Sequence, residues 1–151
     1  MKNATLNPSL AGLNADPLFF EGKLYIFGGK VINARLTKEG SQIEALYVPV
    51  NSRGYFDDYY RTDGRFLALL PKDRGILDPL IFKANREITI AAVYKGVRTE
   101  RLEGMEYPYG YFEIVGIRLW AERAYYPPYY PYPYWYYDPW YEPWNRHQRW
   151  R

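Results

Sequence analysis

A single long strand is predicted for the stretch Gly22-Lys-Leu-Tyr-Ile-Phe-Gly-Gly-Lys-Val-Ile-Asn-Ala-Arg-Leu36. Apolar side chains recur along it, and the pair Gly28-Gly29 interrupts them near the middle. Glycines inside a strand indicate a bend or a bulge. A strand of this length with a glycine kink can serve two sides of a closed sheet, so the stretch favours a barrel.

The segments that follow supply the remaining elements of such a barrel. Strands are predicted within residues 42–50, 65–70, 86–94 and 111–120, which are rich in β-branched and other apolar residues. Residues 38–41 form a turn that makes the first of these strands the hairpin partner of the long strand. Asp78 before Pro79 is the order of an N-cap and a first helical residue, which predicts a helix of one or two turns there. A further turn is predicted at Glu103-Gly104.

The predicted fold class is therefore all-β. We expect an OB-like closed barrel of about five to six antiparallel strands with one short helix before the fourth strand, followed by an extended Pro/Tyr/Trp-rich C-terminal tail. An open antiparallel sheet or a small sandwich with the same strands is the alternative. Residues 1–16 are small and polar without a period and are predicted to be a flexible leader. The barrel domain then covers residues 17–123 and the tail covers residues 124–151.

Composition excludes several classes of function. The chain of 151 residues has no Cys and one His, His147, which argues against disulfides, thiol chemistry, a His-based metal site and a Ser-His pair. Lys and Arg number 20 against 17 Asp and Glu, and no basic stripe gathers the excess, so nucleic acid is not an expected partner. No run of about 18 apolar residues and no apolar signal core occurs. We expect no cofactor, no metal and no catalysis.

The C-terminal tail has a composition unlike that of a disordered segment. It contains Tyr125-Tyr-Pro-Pro-Tyr-Tyr-Pro-Tyr-Pro-Tyr-Trp-Tyr-Tyr-Asp-Pro-Trp-Tyr-Glu-Pro-Trp144, in which twelve of twenty residues are aromatic and six are Pro. Proline excludes helix interiors and central strands, and rings at this density favour contact with a surface. The residues predicted to make that contact are Tyr129, Tyr132, Tyr134, Trp135, Tyr137, Trp140 and Trp144.

Three surfaces compete for the tail. The rings could cover a wall or mouth of their own barrel, or they could dock on a neighbouring copy and build a homo-oligomer or polymer. They could also stack on glycan or sit at the level of outer-membrane lipid headgroups.

Several short motifs, in their order along the chain, resemble the Slp family, the starvation-inducible outer-membrane lipoproteins of Gram-negative bacteria. The motifs are Phe27-Gly28-Gly29, Val48-Pro49-Val50 with Gly54, Asp63-Gly64-Arg65-Phe66-Leu67-Ala68, Leu77-Asp78-Pro79 with Phe82, Arg86-Glu87-Ile88-Thr89-Ile90, Gly104 to Pro108 and Gly116 to Trp120. The resemblance covers about Pro17 to Trp120. Its structural residues are Gly28, Gly29, Gly64, Arg65, Phe66, Asp78 and Pro79.

The resemblance implies an exported protein that acyl chains tether to the outer membrane, with no established catalytic activity. The sequence departs from the family pattern at three points. It lacks the lipid-modified Cys that begins the family's mature chains, Phe27 replaces a Trp, and Ala92 replaces a strand glycine. The tail lies outside the shared region, so its role is not implied by the resemblance.

The acidic residues of the barrel have an ordinary interpretation. Asp57, Asp58 and Asp63 lack the spacing of a calcium loop and are interpreted as a solvated insertion. The glutamates are interpreted as solvent-side charge on strands rather than as a glycosidase pair; they are Glu44, Glu87, Glu100, Glu103, Glu106 and Glu113. Together with the envelope location that the resemblance implies, the sequence predicts a non-enzymatic protein whose tail mediates packing or self-assembly, with surface binding to peptidoglycan, lipopolysaccharide or lipid headgroups as the alternative.

Overall fold

Six strands and three short helices make up the part of the chain that the structure, a computed structural model, describes, namely residues 4–56 and 64–121. The strands are β1 (Thr5–Leu6), β2 (Leu24–Leu36), β3 (Gly40–Val48), β4 (Arg65–Pro71), β5 (Glu87–Leu102) and β6 (Met105–Leu119). The helices are α1 (Leu10–Ala15), α2 (Pro17–Phe20) and a 3₁₀ helix at Lys72–Arg74. The predicted tail lies outside the described residues.

Five of the strands form a closed barrel, which confirms the predicted OB-like fold. The order around the barrel is β2, β3, β4, β6, β5 and back to β2. β2 pairs antiparallel with β3 and with β5, β3 pairs antiparallel with β4, and β5 pairs antiparallel with β6. β6 therefore runs parallel to β4 where those two strands meet. β1 pairs in parallel with the beginning of β2, which β3 does not reach.

The closure of the barrel takes place on β2. Its first half pairs with β5 over residues 24–30, and its second half pairs with β3 from residue 28 onward. Gly28, Gly29 and Lys30 therefore pair on both edges. The register shift in β2 falls between Val31 and Asn33, beyond the glycines at which the sequence predicts the bend or bulge.

The two glycines leave room for aromatic rings on both faces of the wall. A Cβ on Gly29 would lie 2.8 Å from Cζ of Phe66, whose ring fills the barrel interior, and a Cβ on Gly28 would lie 2.7 Å from Cε1 of Phe56 on the outside. Inside, Phe66 packs edge-on against Phe27 with 4.9 Å between ring centroids. Glycine is thus required at both positions by close packing.

The segment between β4 and β5 closes one end of the barrel. Leu77 and Phe82 are buried, and the Leu77 amide donates to Ser41 Oγ at 2.9 Å. Asp78 accepts from the Leu80 amide through its side chain (2.9 Å) and from the Phe82 amide through its carbonyl (2.8 Å). The helix expected at Asp78-Pro79 is therefore a single hydrogen-bonded turn, and the 3₁₀ helix at Lys72–Arg74 precedes it.

The N-terminal segment closes the other end and differs from the flexible leader that the sequence predicts. α1 begins after Ser9, whose Oγ accepts from the Gly12 amide at 3.1 Å, and it buries Leu10 and Leu13. The hydroxyl of the buried Tyr94 lies 2.9 Å from Asn14 Oδ1 and 3.2 Å from the Leu13 carbonyl. Two buried leucines one helical turn apart and the Tyr94 hydroxyl thus hold the segment on the barrel.

The hairpin of β5 and β6 continues beyond the barrel wall. β2 accompanies β5 only as far as Val93, and β4 accompanies β6 only from Gly110, so residues 97–109 pair chiefly with each other. The hairpin ends in a two-residue turn at Glu103 (φ 50°) and Gly104 (φ 88°). Positive φ at both positions is the geometry of a type I′ turn. The turn predicted at Glu103-Gly104 is confirmed.

Replacement of Gly29 tests the packing that closes the barrel. In Gly29→Ala the new methyl group meets the Phe66 ring, so we expect the free energy of unfolding in urea to fall by about 1–3 kcal/mol. In the control Gly12→Ala the Cβ lies 3.4 Å from Ser9 Oγ, an ordinary contact, so stability should hold or rise by about 0.5–1 kcal/mol. Adding Phe66→Leu to Gly29→Ala should cost less than the sum of the two changes; strict additivity would contradict the contact.

Candidate functional site

A polar cluster lies on the outer wall of the barrel, centred on Glu44 of β3. Glu44 Oε2 accepts from Arg65 Nη1 at 2.9 Å and from the Tyr109 hydroxyl at 2.6 Å. Glu44 Oε1 accepts from Asn33 Nδ2 at 3.0 Å. We call Asn33, Glu44, Arg65 and Tyr109 the Glu44 cluster. It joins side chains of β2, β3, β4 and β6.

Strand alternation explains why these side chains meet on the outside. Ile43 and Ala45 flank Glu44 and point into the core, and Phe66 after Arg65 does the same, so Glu44 and Arg65 project from the other face. Because Ala45 pairs with Phe66, the side chains of Glu44 and Arg65 are diagonal neighbours across β3 and β4.

The charges of the cluster are stabilised by one another. Burial of Glu44 tends to raise its pKa, but the hydrogen bonds from Tyr109, Arg65 and Asn33 outweigh burial and lower the pKa below its ordinary value of 4.5. Burial and the adjacent Glu44 carboxylate raise the pKa of Tyr109 to about 12. At neutral pH the carboxylate is ionised and the phenol is protonated, so neither group is poised to exchange a proton.

The Gly-Arg-Phe motif has a separate task for each residue. Gly64 has a φ of 96°, and a Cβ there would lie 3.2 Å from the Tyr107 hydroxyl. The Arg65 amide donates to that hydroxyl at 3.2 Å, while the Arg65 guanidinium binds Glu44. Phe66 fills the barrel. The motif therefore ties β4 to the protruding hairpin and to the core at once.

Some of the predicted structural residues meet in the cluster and others lie elsewhere. Gly64, Arg65 and Phe66 belong to the cluster or border it, Gly28 and Gly29 lie at the barrel closure, and Asp78 and Pro79 lie at one barrel end. The tail residues lie outside the described residues, as do Asp57, Asp58 and Asp63. These include the whole predicted contact set: Tyr129, Tyr132, Tyr134, Trp135, Tyr137, Trp140 and Trp144.

The role of Glu44 and that of the tyrosines of β6 that lie near it were not predicted from the sequence. Glu44 is interpreted from the sequence as a solvent-side charge, but its side chain is only 15% exposed and carries an ion pair. The available signal was the alternation of Tyr107, Tyr109 and Tyr111, which places three phenols on one face of β6. Tyr107 and Tyr109 lie with 4.8 Å between ring centroids.

Other carboxylates on the wall pair with cations rather than with one another. Glu113 lies 3.8 Å from Lys95 and 4.0 Å from Arg74, and Glu100 lies 3.3 Å from Arg98. No three acidic or His side chains converge on a metal-sized site within residues 4–56 and 64–121. In the same ranges, none of the helices has the length and apolar character needed to cross a bilayer.

The fold and the Glu44 cluster together define a class of protein. It is a small closed OB-type β-barrel with a polar cluster on its outer wall, in which Glu44 accepts hydrogen bonds from the other three members. Comparison with known proteins gives the family. The sequence matches the model described as "Outer membrane lipoprotein Slp family" over residues 1–147, and the chain belongs to that family. The resemblance seen in the sequence motifs is thereby confirmed.

Two individual proteins show how far the likeness extends. Outer membrane protein Slp of Escherichia coli (strain K12) is 27% identical over 115 residues, which cover 76% of this chain and 59% of the relative, so the chain spans less than two thirds of that protein. The small single-stranded DNA-binding protein from Streptomyces coelicolor aligns with a TM-score of 0.36 and 13% identity, over 64% of this chain and 92% of that chain. Membership of this family places the protein at the outer membrane.

Removal of the Glu44 charge tests the cluster through pH. Glu44→Gln should lower the free energy of unfolding at about pH 7 by roughly 1–3 kcal/mol, because it weakens a charged hydrogen-bond network. The folded-state pKa of Glu44 is depressed, so the stabilisation is present above the unfolded-state pKa and is lost as pH falls through the folded-state value. Stability curves of the two proteins should converge in acid.

Glu100→Gln provides the matched control for this pH series. Glu100 is 35% exposed and pairs with Arg98 on the hairpin, so its loss should change stability by at most about 0.5 kcal/mol. A Glu44→Gln deficit that stays constant from neutral pH to strong acid would contradict the assigned charge network.

Proposed function

We propose that this protein is a non-enzymatic structural component of the cell envelope, in which the barrel is a scaffold and the C-terminal tail mediates self-assembly. The observation that carries the proposal is the ribbon of Tyr and Trp spaced by Pro, which begins directly after the barrel. Such a ribbon has more apolar area than a solvated linker and is suited to docking on another copy of the chain.

Separate roles for barrel and tail are supported by the barrel itself, because its last strand, β6, ends at Leu119, before the tail begins. Trp120 follows β6, and its amide donates to the Glu87 carbonyl at 2.9 Å while its indole Nε1 donates to Thr89 Oγ1 at 2.9 Å. Its ring packs edge-on against Tyr55 with 5.1 Å between centroids. Trp120 therefore fastens the last described segment to the wall, and the barrel core is already continuous among residues 10–119.

The Glu44 cluster on the outer wall of the barrel supports a non-catalytic role. Against the effect of burial, hydrogen bonds from Tyr109, Arg65 and Asn33 lower the pKa of Glu44 and keep it ionised, while burial and the Glu44 carboxylate raise the pKa of Tyr109 to about 12 and keep the phenol protonated. A general base needs a pKa near the working pH and a free approach for substrate. The Glu44 cluster serves to cross-link strands.

The alternative function is binding at the envelope surface through the same tail. Tyr and Trp stack on sugar faces and sit at the boundary of lipid headgroups, and the family belongs to the outer membrane. Peptidoglycan, lipopolysaccharide and lipid headgroups are the surfaces to compare.

Tail variants separate these functions. One variant ends after Ala121; a second keeps every Pro but replaces the contact set, Tyr129, Tyr132, Tyr134, Trp135, Tyr137, Trp140 and Trp144, by Ser. Light scattering over a range of concentrations should show mass that grows with concentration for the full chain and a constant monomer mass for both variants. Far-ultraviolet circular dichroism and urea unfolding control for the intact barrel.

The outcomes are distinct. A full chain that stays monomeric at every concentration would rule out self-assembly. If that monomer pellets with peptidoglycan, lipopolysaccharide or lipid vesicles and the variants do not, surface binding is the function instead. Loss of stability in both tail variants would assign the tail to its own barrel and contradict both functions.

A further inference from the structure

The turn of α2 presents two adjacent apolar side chains to solvent. Leu18 is 86% exposed and Phe19 is 62% exposed, and no residue of α2 is fully buried. Single exposed apolar residues are common on protein surfaces. A neighbouring pair of this size, with the amine of Lys23 above the Phe19 ring at 4.5 Å, is a more specific arrangement. We call Leu18, Phe19 and Lys23 the α2 wedge.

The α2 wedge is held rigidly outward. The Phe19 amide donates to the Asp16 carbonyl at 3.1 Å, and the Glu21 amide donates to the Pro17 carbonyl at 2.9 Å. Gly22 and Lys23 then make two backbone hydrogen bonds with Tyr94 of β5, of 2.8 and 2.9 Å. Phe20 turns inward and packs against the core. The turn is therefore a fixed part of the barrel, and its exposed pair is preformed for contact.

The residue types match the boundary between lipid headgroups and acyl chains. Leu and Phe gain most from leaving water, and a Lys side chain keeps its amine at the headgroup level while its stem lies along apolar surface. Lys23 stands within cation–π distance of both Phe19 and Phe20, at 4.5 and 5.7 Å from the ring centroids, so amine and rings share one side of the turn.

We propose that the α2 wedge inserts Leu18 and Phe19 into a phospholipid surface and so orients the barrel on the membrane. Two observations favour lipid as the occupant: the protein belongs to an outer-membrane lipoprotein family, and the wedge joins an apolar pair to a cation on one rigid turn. The exposed Asp16 and Glu21 flank the turn and offset the charge of Lys23. Insertion is thus driven by apolar area, and salt affects it little. This role does not depend on the tail.

Site-specific fluorescence gives a direct test, because the chain has no native Cys. Leu18→Cys carrying an environment-sensitive fluorophore should shift its emission to the blue when vesicles of phosphatidylethanolamine and phosphatidylglycerol are added. The control is Leu80→Cys, at a position 82% exposed in the segment that closes the other end of the barrel. Its emission should stay constant. Both labels are placed in the chain that ends after Ala121, so that the tail makes no contribution, and also in the full chain.

Matched double substitutions measure the size of the effect. In the chain that ends after Ala121, Leu18→Ser with Phe19→Ser should weaken vesicle partitioning about tenfold or more, since it removes the two inserting groups. Ile76→Ser with Leu80→Ser removes a comparable exposed apolar pair at the other barrel end and should leave partitioning unchanged.

Four outcomes would overturn the proposal. In the first, the Leu18/Phe19 variant and its parent partition equally onto vesicles; in the second, high salt releases the parent completely. In the third, the label at position 18 is already blue-shifted without vesicles, and only in the full chain. In the fourth, the molecular mass measured without lipid falls when Leu18 and Phe19 are substituted. The third result would assign the wedge to the tail, and the fourth would assign it to a second copy. A tail that fails to self-assemble affects none of these results.

Discussion

The double pairing of β2 at Gly28, Gly29 and Lys30 is the constraint on which the rest of the structure depends. At these residues one strand bonds to β3 on one edge and to β5 on the other, and the sheet becomes a barrel. Phe66 approaches the inner face of Gly29 and Phe56 approaches the outer face of Gly28, and both rings fit there only because these residues carry no side chain. A side chain on either face would push apart the layers that closure brings together.

Closure fixes the positions of everything outside the core. It forces β6 to run beside β4, and this brings Tyr107 and Tyr109 against Gly64, Arg65 and Glu44. It also leaves two open ends, one covered by Leu77 and Phe82 and the other by α1. Covering the second end places α2 on the rim, where Leu18 and Phe19 face solvent. The Glu44 cluster and the exposed pair of α2 therefore lie at separate places on one small domain.

Local residue patterns predicted the parts of the fold that depend on short-range chemistry. The five barrel strands, the turn at Glu103-Gly104 and the role of Asp78 as a cap follow from β-branched runs, glycine and an Asp-Pro pair, and the structure has each of them. The length of the helix at Asp78 was less predictable. There Phe82 must enter the barrel end, and the chain extends again after one turn to reach β5.

Features that arise from contacts between residues far apart in the chain could not be predicted from the sequence. The packing of residues 4–16 on the barrel depends on the burial of Leu10 and Leu13 at a barrel end, which a short segment of small and polar residues does not reveal. Glu44 has the pattern of any outward strand charge, and its ion pair exists because Arg65 and Tyr109 arrive from two other strands. The parallel meeting of β4 and β6 likewise follows from closure rather than from either strand.

Native-state amide hydrogen exchange measures the central constraint most directly. If the double pairing of β2 closes the barrel, the amides of Gly28, Gly29 and Lys30 that bond within the sheet should exchange only through global unfolding, with the protection of the most stable core strands. The amides of residues 97–102 in the protruding hairpin should exchange through smaller openings. Exchange of the β2 amides at or above the rate of the hairpin amides would show that the barrel opens at the glycines, and it would contradict closure through the double pairing.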